Sequence, residues 1–469
     1  MKQSFSAQHH RGLPRLRQQA LALALATLTV TGTAQAADIF TQPDTAFKGR
    51  VSVMEATHPG STVTLRGRGF KPGQEVRLLS NGQPITAEPV IKVDAQGGFR
   101  TQVSVPASTV VGRHPVVVQV SHPAAAAIYE FKVSSKLPLS GTNHYRIDAQ
   151  PLKPGLYESA YSAASKALFV TASSGRPPAA VSSTLMKVDP DTLKATISVN
   201  PATGADGTAH AVYGVAVDDA QGTVWVSDTR NDTVAVYRQK DLSLLKQFPN
   251  GIVNHSRAIA IDSRNGRAYV TSTRGGEIVV FDTRKFDKIG SIYLKSALNQ
   301  AQIPVTRPMA LALDADNGKL YTVSATTNEV FIIDLGRQAV EKVIPLPGAL
   351  NASGIALAPA AGILFIASQD SDNVLLLDLK EGRVRHEVTV GAGALNVVWE
   401  PVKQRAYVAS RASGTVAVID TAGKLLANLP AGPLANQLST DGQGNVFAVN
   451  KSRGPDDSQG DHITRFTAR

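Results

Sequence analysis

The sequence predicts an all-β protein, a seven-bladed β-propeller preceded by a small β-sandwich, and three observations predict it. Beyond residue 141 an aromatic-centred strand recurs seven times, at spacings of 40 to 56 residues, the period of propeller blades. Between residues 38 and 135 short β-branched runs alternate with glycine turns, and no helical period competes with them. The chain of 469 residues contains no cysteine, so burial alone must hold it together.

The N-terminus reads as an export signal over residues 1–36. Lys2, Arg11, Arg15 and Arg17 form a basic start, Ala20 to Val30 an apolar run, and Ala34-Gln35-Ala36 a small-x-small cleavage site. The apolar run is shorter than the ~20 residues a membrane helix needs. A chain without a transmembrane anchor after cleavage, in the periplasm first and the medium as the alternative, is expected. The full sequence carries +11; loss of four basic residues and no acid leaves +7. An excess of that size points to an anionic partner only if it is gathered on one face.

Residues 38–135 hold the sandwich. Its runs are Ser61 to Leu65, Glu75 to Leu79, Val90 to Val93, Phe99 to Val105, His114 to Val120 and Tyr129 to Val133. Turns are expected at Gly69 to Gly73, Asn81-Gly82, Gln96 to Gly98 and Val111-Gly112-Arg113. About seven strands fit the span. The stretch Arg66-Gly67-Arg68-Gly69-Phe70-Lys71-Pro72-Gly73, with Asp94-Ala95-Gln96-Gly97-Gly98-Phe99, resembles bacterial immunoglobulin-like modules. That resemblance implies a spacer or docking role, and the predicted class is an immunoglobulin-like β-sandwich. Residues 136–141 are the expected linker.

Residues 142–469 repeat one plan: an apolar inner strand, a turn, an aromatic-anchored strand, a loop and a further strand. One repeat reads Ala258-Ile259-Ala260-Ile261-Asp262, Arg267-Ala268-Tyr269-Val270-Thr271 and Glu277-Ile278-Val279-Val280-Phe281-Asp282. The aromatic position falls at Phe169, Trp225, Tyr269, Tyr321, Phe365, Tyr407 and Phe447. Seven matches predict seven blades, with the aromatics as wedges between them. The last repeat lacks its outermost strand, and His144 to Asp148 is placed to complete it, because an open ring would expose a sheet edge.

These repeats, with Tyr269-Val270-Thr271 and the recurring Val-x-Val-[Ile/Phe]-Asp, resemble the YVTN-type propeller repeat. Gly155 to Tyr161, Lys187 to Leu193 and Pro455-Asp456-Asp457 are similar to the YncE-like periplasmic propellers over roughly residues 142–469. The resemblance implies a binding protein associated with DNA, preferably single-stranded, and with genes that respond to iron.

In a propeller the loop entering each inner strand and the loop leaving the second strand emerge on one face. Reading those loops gives the candidate mouth residues Arg176, His210, Arg230, His255, Arg257, Arg274, Arg307, Asn351, Asn396, Arg411, Asn436, Lys451 and Arg453. The set is rich in arginine, whose planar fork suits anionic oxygens. Tyr157 and Tyr213 are the few aromatics beside it, fewer than a single-strand binder ordinarily stacks on.

Catalytic classes find little support. The two tryptophans, Trp225 and Trp399, fall at packing positions, and there is no G-x-S-x-G turn or H-E-x-x-H helix. Asp314-Ala315-Asp316-Asn317-Gly318 departs from a calcium loop and reads as a turn. His210 and His255 leave a metal-carrier reading open, but no metal ligand set, cofactor or catalytic residue is assigned. The expectation is a monomeric, non-enzymatic binder of an anionic ligand, single-stranded DNA being the suggested one. The alternative is a protein-interaction scaffold with an envelope partner in metal or iron uptake.

Overall fold

The computed structural model describes residues 43–53, 55–175, 182–204, 207, 209–298, 305–454 and 456–469. The export-signal segment and Arg176 lie outside the described residues. The chain separates into two compact units, a small one that includes Thr64–Ser104 and His114–Phe131 and a large one that includes Lys132–Arg469. Among the described residues no helix is long and apolar enough to cross a membrane.

Eight strands precede the linker: β1 (Arg50–Val53), β2 (Thr62–Arg68), β3 (Glu75–Ser80), β4 (Gln83–Pro84), β5 (Ile91–Lys92), β6 (Phe99–Ser104), β7 (Gly112–Ser121) and β8 (Ala125–Val133). They form one sheet in the order β1-β2-β6 and another in the order β4-β3-β7-β8, with β5 also on β3. Alternation does the sorting: Val63 and Leu65 of β2, Val76 and Leu78 of β3 and Val116, Val118 and Val120 of β7 are buried while their neighbours face out. Gly112-Arg113, expected in a turn, instead opens β7, because the turn is made earlier, beside Pro106.

In the large unit β9 (Tyr145–Pro151) comes first. The following sheets are β10 (Leu156–Ser162), β11 (Ala167–Ser174), β12 (Ser182–Val188) and β13 (Ala195–Val199); β14 (Val215–Asp218), β15 (Thr223–Asp228), β16 (Thr233–Arg238) and β17 (Leu244–Gln247); β18 (Ser256–Asp262), β19 (Arg267–Ser272), β20 (Glu277–Asp282) and β21 (Asp287–Tyr293). Then come β22 (Pro308–Asp314), β23 (Lys319–Ser324), β24 (Glu329–Asp334) and β25 (Ala339–Pro345); β26 (Ala352–Ala358), β27 (Ile363–Ser368), β28 (Asn373–Asp378) and β29 (Arg383–Thr389); β30 (Ala394–Glu400), β31 (Arg405–Ser410), β32 (Thr415–Ile419) and β33 (Leu425–Pro430). The seventh sheet joins β34 (Ala435–Thr440), β35 (Asn445–Asn450) and β36 (His462–Ala468) to β9, antiparallel, from His462 opposite Pro151 to Ala468 opposite Tyr145.

Each repeat residue has a job in this plan. The seven second-strand aromatics are all buried, and each packs on the following blade: Phe169 on Val215 and Val224, Trp225 on Ala268 and Val270, Tyr269 on Leu320 and Phe331. Tyr321 meets Ile355 and Leu364, Phe365 meets Ala406 and Val408, Tyr407 meets Val446 and Phe466, and Phe447 meets Leu156 and Leu168. The last contact closes the ring. The repeat Asp ends the third strand by capping the next turn: Asp282 Oδ1 accepts the N–H groups of Arg284 and Lys285 at 2.9 Å each, an Asx turn.

The mouth is shaped by bulges. In six sheets the register of the inner strand slips by one residue near its start, at 157–158, 257–258, 309–310, 353, 395 and 436. A bulge re-aims the side chain it carries, and Glu158, Arg257, Met309, Ser353, Leu395 and Asn436 all line the central channel. Hydroxyls on the second strands hold backbone groups at the inner-strand starts: Glu158 N–H donates to Thr171 Oγ1 at 3.2 Å, Gly214 N–H to Ser227 Oγ at 2.9 Å and Ala258 N–H to Thr271 Oγ1 at 2.9 Å. Ser227 Oγ also donates to Arg257 C=O at 2.7 Å. Gly214 is required there, since a Cβ would lie 2.1 Å from that same carbonyl oxygen.

Two predictions follow from this framework. Thr271→Val should orphan the Ala258 N–H and cost about 1–3 kcal/mol in urea unfolding. Arg465 Nη2 donates to Asp148 Oδ2 at 2.8 Å and Nη1 to Pro190 C=O at 3.0 Å, tying the closing strand; Arg465→Met should lower stability by about 2 kcal/mol, read as an earlier melt of the large unit.

Candidate functional site

All seven inner strands contribute to one cavity of ≈ 740 Å³ along the propeller axis. Its middle is apolar, with Val215, Ile259, Leu311, Ile355 and Val397 on the wall. Its two ends differ in charge. Glu158, Arg257, Asn396 and Asn436 lie toward the start of the inner strands, and Asp219, Asp314, Asp316 and Asp441 toward their ends. At the acidic end burial, then Asp441, Asp191 and Asp219, raise the Tyr161 hydroxyl above its ordinary value. Asp219, Asp316 and Asp441 sit in the turns after the inner strands, among them the Asp314 to Gly318 turn, where Asn317 N–H donates to Asp314 Oδ1 at 3.2 Å.

The basic end concentrates cations from separate blades. Burial and then the neighbouring Arg257 and Arg274 lower the proton affinity of Arg307. Arg411 is lowered by burial and, more weakly, by Arg257, against the opposing effect of Tyr157. Lys451 falls to about 7 through burial, then Arg411 and Arg257, with Asp461 opposing. Arg257 is the hub, facing Arg307, Arg411 and Lys451 at once. His255, at a positive φ of 56°, drops to about 4 through burial, Arg274, Arg307 and Arg257, with Asp232 opposing. It is a neutral imidazole among cations, poorly suited to hold a metal ion.

Counter-charge is scarce. Among the described residues no carboxylate stands within ion-pair distance of Arg257, Arg274, Arg307, Arg411 or Lys451. Asp232 and Asp461, the acids nearby, accept backbone N–H groups, from His255 at 2.7 Å and from Gly155 at 2.8 Å. Glu158 is the carboxyl inside the mouth. Burial pushes it up to about 7, although Arg257 and the Val215 N–H act in the other direction.

Other polar residues position this group. Asn436 accepts from Arg411 through its side-chain carbonyl and donates Nδ2–H to Tyr157 C=O at 2.6 Å, which holds the guanidinium at the rim. Lys451 Nζ sits 3.2 Å above the centre of the Tyr157 ring, and Tyr157 meets Tyr213 edge-on at 4.5 Å. Arg230 donates to Tyr213 Oη at 3.1 Å and to Gly175 C=O at 2.8 Å.

The structure therefore brings together His255, Arg257, Arg274, Arg307, Arg411, Asn436 and Lys451 from the residues read in the loops. Three others serve the framework. His210 is buried with Nδ1 at 3.0 Å from Asp228 Oδ2. Asn396 Oδ1 accepts the Leu438 N–H at 2.9 Å, joining adjacent inner strands. Asn351 turns the chain into β26 at a φ of 59°. Arg453 is exposed. Glu158 escapes the loop reading because it falls inside the expected inner strand; Arg257, Asn396 and Asn436, expected in the entering loops, lie within β18, β30 and β34 instead.

No protein-family model matches the chain. It is 24% identical over 332 residues to the uncharacterised protein YncE of Salmonella typhi, a match covering 66% of this chain and 88% of that one. The protein of the same name from Salmonella typhimurium matches to the same extent. Among solved structures, streptogramin B lyase superposes with a TM-score of 0.55 at 12% identity, covering 70% of this chain and 100% of that one. Virginiamycin B lyase from Staphylococcus aureus gives 0.54 at 13%, covering 69% and 99%, and the WD40 repeats of RRP9 give 0.55 at 11%, covering 71% and 100%. At those identities the likeness is one of fold. Seven four-stranded sheets closed into a ring, together with the similarity to YncE, identify a YncE-like β-propeller in this chain.

Proposed function

We propose that the chain is an exported periplasmic protein that binds an anionic ligand at the basic mouth of its propeller and performs no chemistry on it. The observation that carries this reading is the convergence of Arg257, Arg307, Arg411 and Lys451, partly desolvated and, among the described residues, with no carboxylate at ion-pair distance. Such mutual repulsion is unfavourable in the empty protein and is relieved when anionic oxygens enter. The low-dielectric channel wall strengthens the attraction. The lyases on this fold are enzymes by name; the binding reading here rests on the mouth's own charge pattern.

Single-stranded DNA is the ligand to test first. Its phosphates suit the arginines, and Tyr213 with Tyr157 offers a small aromatic surface, though Lys451 covers part of the latter. A labelled single-stranded oligonucleotide titrated against salt should bind with a negative log–log slope. Arg257→Ala and Arg411→Ala should each weaken it about tenfold or more and flatten the slope by about one phosphate contact. Unchanged binding in both variants, or equal displacement by duplex DNA and heparin, would move the assignment to a protein partner.

The same site predicts a pH dependence. Glu158 and Lys451 both titrate at about 7; lowering the pH neutralises the first and charges the second, and both changes favour an anion. Affinity should therefore fall as pH rises from about 6 to about 8, by up to tenfold per proton taken up per pH unit. Glu158→Gln should reduce the dependence to that of Lys451, while His255, at about 4, stays neutral throughout.

A further inference from the structure

The small unit carries a second concentration of arginine that the propeller mouth does not explain. Strand alternation puts Arg50 and Ser52 of β1, Arg66 and Arg68 of β2 and Arg100 of β6 on the outer face of the three-stranded sheet, while Val51, Leu65 and Phe99 fill the core side. Arg50 stands directly opposite Arg68 in the β1–β2 register. Like charges in that relation destabilise a sheet. Arg66 is perturbed downward by its surroundings, first by desolvation and then by Arg68 and Arg100.

Arg66, Arg68 and Arg100 surround one hollow of ≈ 530 Å³. Gly67, Gly69, Gly97 and Gly98 contribute to its lining, and the places a Cβ would take at Gly67 and Gly97 are filled by the Phe99 ring and the Phe70 carbonyl, which leaves the three arginines as the side chains that can meet a ligand there. The carboxylate at the hollow, Asp94, is engaged by its own turn: Oδ1 accepts Gln96 N–H at 3.0 Å and Gly98 N–H at 2.8 Å. Among the described residues no ion pair reaches Arg50, Arg66, Arg68 or Arg100.

We infer that this hollow is a second binding site, for a compact phosphate-class oxyanion held between the guanidinium groups of Arg66, Arg68 and Arg100. Three forks around one concavity match a tetrahedral polyanion, which accepts several charge-assisted hydrogen bonds at once. The same phosphate chemistry is presented by a free anion or by a lipid headgroup. The inference is independent of the mouth reading.

Calorimetry with pyrophosphate on the full chain tests it, using Arg257→Ala/Arg411→Ala to remove the mouth and Arg68→Gln/Arg100→Gln to remove the hollow. Both hollow positions are exposed, and an unchanged melting temperature checks that this variant folds. The mouth variant should retain a saturable pyrophosphate site, and adding the hollow substitutions should weaken it at least tenfold. Pyrophosphate binding untouched by Arg68→Gln/Arg100→Gln, or abolished by the mouth variant alone, overturns the inference. Sedimentation with phosphatidic acid vesicles separates the sources: recovery of the chain with vesicles, lost in the hollow variant, supports a headgroup, whereas pyrophosphate binding without vesicle recovery supports a free anion.

Discussion

The large unit depends on one packing contact made seven times, the second-strand aromatic of each blade against the sheet of the next. Fully burying such a ring contributes about 1.5–3 kcal/mol, and truncating one to alanine ordinarily costs about 3–5 kcal/mol. The contact works only in a closed ring, because a terminal blade would leave its aromatic in water. Closure is therefore as much a condition of the core as of the sheet edge: Phe447 reaches Leu156 and Leu168 only while β9 holds β36. Chain ends and hydrophobic core form a single cooperative problem.

The same closure places the site. Inner strands packed round an axis aim their first residues at a common centre, and the register slips at the strand starts turn Glu158, Arg257 and Asn436 into it. Thr171 and Thr271 bond the backbone N–H groups that the slips release, and Ser227 donates to the carbonyl of the bulged Arg257. The threonine of Tyr269-Val270-Thr271 thus links motif and mouth: the tyrosine is a wedge between blades, and the hydroxyl steadies the bulge that carries Arg257. A mutation of the hydroxyl acts on the site through geometry, with no loss of charge.

Charge is arranged against local stability in both units. Arg257, Arg307, Arg411 and Lys451 repel one another across the channel, as Arg50, Arg66, Arg68 and Arg100 do across a sheet face. A framework built on apolar contacts tolerates this, since exposed like-charge pairs cost only a fraction of a kcal/mol to about 1 kcal/mol each. Partial desolvation makes the mouth the more costly of the two arrangements, and it is there that Lys451 and Glu158 are both drawn to about 7.

The sequence by itself determined the all-β class, the seven repeats, the aromatic wedges and the segment that completes the last sheet, because these rest on period-2 burial and on spacing, which are local properties. It also placed the arginines in the loops of one face. Tertiary structure decided which of them meet. His210 and Asn396 were read at the blade entrances like Arg257, yet one is consumed by Asp228 and the other by the Leu438 N–H, partners outside their own segments. Glu158 became a mouth residue through a bulge, a one-residue shift in pairing that hydrophobic periodicity does not register. The arginines of the small unit were visible in Arg66-Gly67-Arg68, but their convergence with Arg100 and Arg50 required the strand pairing. Side-chain chemistry is written along the chain, whereas proximity, desolvation and the absence of a counter-charge arise only when separate strands are brought to one axis or one face.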